Sequence, residues 1–404
     1  HLIVNLLISA TARTSENQAR AVRLSGTPSP PAPGTAHHAL LFRSFSSFST
    51  RIMAKTIWHL ASTVGIEWAP ARIPLERRLQ TFAALYWSFS FFLFGMLSLG
   101  LCVYMMFFAD GLQRAILFCY LAWYIWDMNS CIRGGRRSTW VRSWRIWCWF
   151  RDYFPIRLVK TADLNASKNY IFGYHPHGIA SAGAFCNFAT EATDVSGQFP
   201  GIVPHLLTLE GQFCFPFHRE LVLSLGVNSV SKESIVNILN YKGRGNAVII
   251  VVGGAQEALD AVPSTCLPTV RLKLNSRRGF VRMAIQNGAH LVPVFSFGEN
   301  DIFHQEPNGH DSFTRRLQTA FTKLAGFSPP VFHGRGVFQY SYGFVPYRQP
   351  ITTVIGEPIP VAKKPDPSDD DVRELHARYV MALTKLFDTH KVKLNMPHLT
   401  LEVY

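Results

Sequence analysis

The chain has 404 residues, 48% hydrophobic and only 16% charged, and carries a formal net charge of +14 at neutral pH. That length allows a large core, and 31 Phe with 9 Trp against so little charge lean toward membrane association. Seven scattered cysteines form no CxxC pair, which argues against a zinc ribbon or disulfide framework and for a reducing compartment.

The charge calls for an anionic partner: nucleic acid, anionic lipid or a phosphate-bearing substrate. Residues 1–52 are rich in Ser, Ala, Pro and Arg and precede the first methionine, Met53. They read as a disordered or non-native leader, with a transit peptide as the competing explanation.

Residues 53–132 are expected to hold a cytosolic N-terminal segment and a membrane hairpin. Phe82 to Phe108 carries no charged side chain, and a second apolar run follows from Ala115 to Trp126 after a break at Ala109–Arg114. Arg72, Arg77 and Arg78 flank one side and Arg133, Arg136 and Arg137 the other, so both ends are placed in the cytosol. A helical hairpin or re-entrant pair fits better than two independent spans; a buried core hairpin is the plainer alternative.

Residues 133–160 are basic apart from Asp152, and Trp140, Trp144 and Trp147 fall at i, i+4, i+7. That spacing predicts one interfacial helix with an aromatic stripe. Nucleic-acid binding is the rival reading of such a patch, and adjacency to the apolar runs ranks it last.

From residue 161 to 404 short β-branched runs alternate with helical ones. Tyr170–Tyr174, Val227–Val230, Ala247–Val252, Leu291–Ser296 and Thr352–Ile355 read as strands. Ser181–Asp194, Lys232–Asn240, Arg278–Asn287, Ser312–Leu324 and Ser368–His390 read as helices, the last with an acidic, capped first turn. The fold class inferred is α/β, a single mixed sheet flanked by helices.

Chemistry is expected where the run Asn169–Tyr174 ends in His175-Pro-His-Gly178. Pro176 and Gly178 allow a tight turn that holds two imidazoles at a strand end, where a neutral ring can serve as a general base. Two ordinary loop histidines are the bland alternative. Gly253-Gly-Ala-Gln-Glu257 follows the most apolar strand, where a carboxylate can orient an imidazole, the plainer alternative being a Gly-Gly turn with Glu257 exposed in the first turn of a helix; Glu220 is a second acid, equally readable as a structural ion pair. The basic loop with Arg271, Lys273, Arg277, Arg278 and Arg282 runs into a helix start and suits a phosphate-bearing ligand. No Gly-x-Ser-x-Gly elbow, Walker A motif or post-strand GxGxxG occurs, which disfavours a serine hydrolase, a P-loop NTPase and a dinucleotide site.

These residues carry a resemblance. From about Trp68 to Tyr404 the chain resembles the type-2 diacylglycerol acyltransferase family, which includes the monoacylglycerol and wax-alcohol acyltransferases. Tyr153-Phe-Pro155, Tyr174-His-Pro-His-Gly178, Arg219-Glu220, Gly253–Leu259, Arg278-Gly-Phe-Val281, Leu291-Val-Pro293, Phe297-Gly-Glu-Asn300 and His333-Gly-Arg-Gly336 occur in the family's order. Glu67-Trp-Ala-Pro70, Gly253–Ala261 and Gly336–Tyr340 lean to the monoacylglycerol branch.

The resemblance implies an endoplasmic-reticulum membrane enzyme with a cytosolic catalytic domain and an association with lipid droplets. Its activity would be transfer of a fatty acyl group from acyl-CoA to a monoacylglycerol or diacylglycerol hydroxyl. Acyl-CoA is then a co-substrate. No tightly bound cofactor, metal or nucleic acid is expected, and self-association stays open. His175 and His177 become the catalytic centre, with His175 preferred as base; Gly178, Ile179 and Ser181 are assigned to substrate or oxyanion. The wider superfamily's aspartate is replaced by Ala180, so Glu257, then Glu220, is expected to partner the imidazole. Phe92-Leu-Phe-Gly95 matches the family's lipid-binding pattern imperfectly, and Arg278 stands where lysine is usual. A non-catalytic, membrane-anchored lipid-binding protein is the rival from another class.

Overall fold

The computed structural model describes residues 65–70, 72–240, 243–305, 312, 316, 318 and 331–404. The leader at 1–52 and nearly all of the helix expected over 312–324 lie outside these residues.

The described chain begins with helix α1, Leu75–Phe89, whose first turn follows Pro74. A π-helical turn, Ser90–Phe94, leads directly into α2, Gly95–Phe107. Asp110 then caps α3, Gly111–Trp126, by accepting from the Gln113 N–H at 2.9 Å, and α3 packs back on α2. The expected helical hairpin therefore forms. No helix among the described residues is long and apolar enough to cross a membrane.

Residues 133–160 correct the single interfacial helix expected there. A short helix, Thr139–Arg142, ends before an extended Trp144, and a second helix, α4, covers Arg145–Tyr153. The break sends the tryptophans apart: Trp140 is 72% exposed, while Trp147 is 1% exposed. Trp147 packs edge-on to Phe185 and donates its indole N–H to the Val141 carbonyl at 2.8 Å. Basic residues there are also spent internally, because Arg142 is wholly buried and donates to Glu191 and to three backbone carbonyls.

The α/β part is built on a seven-stranded mixed sheet, and a second, two-stranded sheet departs from the single sheet expected. The strands of the larger sheet are β1 (Arg157–Lys160), β2 (Tyr170–His175), β3 (Val203–Thr208), β4 (Asn228–Ser229), β5 (Asn246–Val251), β7 (His290–Phe297) and β8 (Thr352–Ile355). Spatial order is β1-β8-β7-β2-β5-β3-β4, and only β7 with β8 runs antiparallel. A separate parallel pair joins β6 (Thr269–Leu272) to β9 (Thr400–Val403).

β2 is buried along its whole length, as a central strand covered on both faces must be. Tyr170, Phe172 and Tyr174 enter the core with Phe150, Tyr153 and Phe188; Ile171 enters the opposite one with Phe280, Tyr379 and Phe387. Three further helices shape the site: α5 (Gly254–Ala258), α6 (Gly279–Asn287) and α7 (Asp369–Lys393). Ser368 caps α7 with the expected acidic turn, its Oγ accepting from Asp371 N–H while the Asp371 carboxylate accepts from Ser368 N–H. The helix expected over 181–194 instead ends at Ala189, where Thr190 turns extended.

Candidate active site

Parallel strands β5, β2 and β7 lie side by side, so their C-terminal ends open at one edge of the sheet. β2 delivers His175-Pro176-His177-Gly178, with a cis His175–Pro176 bond; β5 delivers Glu257 on α5, and β7 delivers Glu299 just after its last residue.

The two histidines meet different fates. His175 is fully buried, and its Nε2 lies 3.0 Å from the Tyr379 hydroxyl. That hydroxyl donates its only proton to the Gly173 carbonyl at 3.0 Å, so His175 Nε2 must be the protonated nitrogen and Nδ1 holds the lone pair. Nδ1 is buried without a hydrogen-bond partner among the described residues. Burial first, and the nearby His376 second, push the His175 imidazole down to about 3, so the ring is neutral.

His177 is partly exposed. Its Nδ1 lies 2.9 Å from the Gly178 carbonyl, which only accepts, so Nδ1 bears the proton and Nε2 carries the free pair. Desolvation, opposed by the Gly178 carbonyl and helped by Arg277, lowers its pKa and keeps the ring neutral.

Glu257 is 2% exposed and grips backbone, not the imidazole as expected. One carboxylate oxygen accepts from the His177 N–H at 2.6 Å, the other from the Lys273 N–H at 3.0 Å. Burial raises its pKa to about 7 against the pull of these two donors. It therefore orients the turn that carries the ring.

Glu299 is the residue that sequence reasoning did not single out. It is 1% exposed, and its carboxylate accepts from the Tyr174 hydroxyl at 2.6 Å, the Gly183 N–H at 3.1 Å and the Ser296 hydroxyl at 3.3 Å. Burial again lifts its pKa to about 7. A Cβ on Gly178, whose φ is +59°, would sit 2.9 Å from Glu299 Cγ, so only glycine permits this approach. Its place two residues past a buried strand was a signal available in the sequence.

Ile179 is buried, and Ser181, in a left-handed conformation (φ 52°), donates its hydroxyl to the His177 carbonyl at 2.8 Å. Glu220 is drawn elsewhere: Arg136, Arg219 and Tyr120 hold its carboxylate at the foot of α3, the ion-pair alternative.

The basic loop divides. Arg271 pairs with Glu402 at 3.0 Å and stacks over Tyr404. Arg278 and Arg282 line a cavity of about 290 Å³ with Asp369, and Asp369 neutralises Arg282. Only Arg277 lies beside the turn, reaching the Gly253 carbonyl and Gln256 at 3.4 Å, while Lys273 contributes its backbone N–H to Glu257.

Comparison with known proteins settles the family. A profile described as diacylglycerol acyltransferase matches residues 104–403. The chain belongs to the diacylglycerol acyltransferase family. It is 46% identical to 2-acylglycerol O-acyltransferase 1 of Bos taurus over 82% of this chain and 97% of that protein. It is 48% identical to diacylglycerol O-acyltransferase 2 of Homo sapiens over 81% of this chain and 82% of that protein. Among solved structures it matches the 1-acyl-sn-glycerophosphate (LPA) acyltransferase PlsC of Thermotoga maritima with a TM-score of 0.35 and 12% identity, covering 76% of this chain and 96% of that one. Membership in this family makes the chain an acyltransferase, as the resemblance implied.

Proposed function

We propose that the chain transfers a fatty acyl group from acyl-CoA to a monoacylglycerol hydroxyl, with His177 as the general base. The observation that carries this reading is the Nδ1–H bond to the Gly178 carbonyl, which leaves the Nε2 lone pair on a partly exposed ring at the sheet edge. Nε2 takes the hydroxyl proton as the oxygen attacks the thioester carbonyl. Collapse of the tetrahedral intermediate expels CoA thiolate, which takes the proton from the His177 imidazolium and restores the neutral base. Backbone amides of the turn after Gly178, around Ile179 and Ser181, hold the oxyanion, a contribution of about 3–4 kcal/mol in comparable sites.

The preference for His175 as base passes to His177, because the His175 ring is sealed under Tyr379. Arg277, beside the same turn, is assigned the phosphates of CoA. The α2–α3 hairpin dips into the bilayer as a re-entrant pair: Leu97, Phe107, Leu112 and Ile116 are all more than half exposed, which water disfavours and lipid rewards. We place the enzyme in the endoplasmic-reticulum membrane, its α/β part in the cytosol, with lipid droplets as a second location.

A diacylglycerol acceptor is the second reading, favoured by 48–50% identity to several proteins named diacylglycerol O-acyltransferase 2. Labelled acyl-CoA given to purified protein with each acceptor in parallel, with free CoA read by a thiol reagent, decides between them. Lipid retention without CoA release would instead support a non-catalytic lipid-binding protein.

A further inference from the structure

The stretch 331–345 belongs to neither the turn nor the hairpin, yet three of its aromatic side chains are more than half exposed. Phe338 is 69%, Tyr342 58% and Phe344 71% exposed, on a loop closed by antiparallel bridges between Gly334 and Gly343 and between Arg335 and Val345. These rings are held out by construction. The Ala69 N–H donates to the Phe338 carbonyl at 3.0 Å, and the Tyr340 N–H to the Glu67 carbonyl at 2.7 Å, so the loop cannot fold its tip inward without breaking backbone pairs.

Its attachment point fixes where it sits along the chain's apolar gradient. Arg335 donates to the Thr81 hydroxyl at 3.1 Å; Arg348, just beyond the loop, donates to Gln80 at 2.7 Å and to the Arg77 carbonyl at 3.1 Å. Arg77 to Thr81 is the last polar turn before the uncharged run that starts at Phe82. The adjacent α1 exposes Leu75, Phe82 and Phe89 at seven-residue spacing, one stripe of the helix. Arg72, Arg77 and Arg78 beside it are exposed cations. Apolar rings backed by arginines, at the boundary between a charged and an uncharged segment, match the composition of a bilayer headgroup zone.

We propose that this loop is a second membrane contact, with Phe338, Tyr342 and Phe344 seated at phospholipid headgroup depth next to the hairpin. The contact rests on the bilayer reading of α2 and α3. It holds the α/β part down on the leaflet by a surface remote in sequence from the hairpin, so the sheet edge faces a lipid-borne acceptor in a fixed attitude.

The test uses the full chain in phosphatidylcholine–phosphatidylserine vesicles with radiolabelled phospholipid. A photo-crosslinking benzoylphenylalanine is placed singly at Phe338, Phe344, Leu101 in the hairpin, and Met381, an exposed apolar residue on α7. The expected result is lipid labelling at 338, 344 and 101, at least about tenfold above that at 381. Labelling at 101 but not at 338 or 344 overturns the loop contact and leaves the hairpin reading standing. No labelling at 101 removes both. Crosslinks from 338 or 344 to a second copy of the chain, or labelling at 381 equal to theirs, likewise overturn the proposal.

Discussion

Tyr379 and Gly173 share one space: a Cβ on Gly173 would fall inside the van der Waals envelope of the Tyr379 hydroxyl. That hydroxyl, sent in from α7, donates to the Gly173 carbonyl and accepts from His175, so a glycine in a central strand is what lets a distant helix fix the tautomer of the first histidine. Phe in place of Tyr379 leaves the His175 Nε2–H buried without an acceptor. The expected cost is about 1–3 kcal/mol in unfolding free energy. Nitrogen-15 spectra of the imidazoles should then show His175 losing its single tautomer while His177 keeps its own.

Ala in place of His177 should lower kcat by about 10²–10⁴. The ring is partly exposed and its one hydrogen bond is to its neighbour Gly178, so unfolding curves should overlay those of the parent. Ala in place of His175 should do the reverse in emphasis, costing stability through the emptied core site and activity only through the displaced turn. Equal kcat for the parent and the His177→Ala protein would remove His177 from the chemistry.

Glu257 and Glu299 give a pH signature. Both carboxyls are raised from an ordinary 4.5 to about 7 by burial, so their neutral forms are favoured in the fold. Their contribution to stability is fully present below the unfolded value and is lost as pH rises through about 7. His175, depressed from 6.5 to about 3, acts oppositely, contributing above 6.5 and losing that contribution as pH falls toward 3. Comparison with the Glu299→Gln protein isolates one carboxyl. The parent's advantage should be largest near about pH 5 and shrink by at most about 3 kcal/mol by about pH 8. Thermal melts across that range check the sign.

Among the basic residues, Arg277→Ala should raise KM for acyl-CoA roughly ten- to a hundredfold, the worth of a charged hydrogen bond. Arg271→Ala should change it little, since that guanidinium is taken by Glu402 and Tyr404. Steady-state kinetics on both proteins separates them.

Local signals were legible before the fold was seen. The strand over 170–174, the turn that follows it, the α7 cap and the carboxylate after β5 all follow from short-range rules of period and turn chemistry. What failed depended on distant parts of the chain. The tryptophan spacing at 140, 144 and 147 suggests one stripe, yet the helix breaks at Ser143–Trp144 and the core takes Trp147. Glu220 and Arg271 found partners about a hundred residues away that periodicity does not reveal. Tyr379 reads as an ordinary core position of an amphipathic helix, and only the missing side chain at Gly173 gives it a role.

One carboxylate ties two backbones together: the Glu257 oxygens are shared between the His177 N–H and the Lys273 N–H. The segment that would meet a nucleotide tail and the segment that would meet an alcohol are thus yoked at a single rigid bracket. A substitution that frees one of these backbones from the carboxylate is therefore felt by the other, because both amides lean on the same side chain.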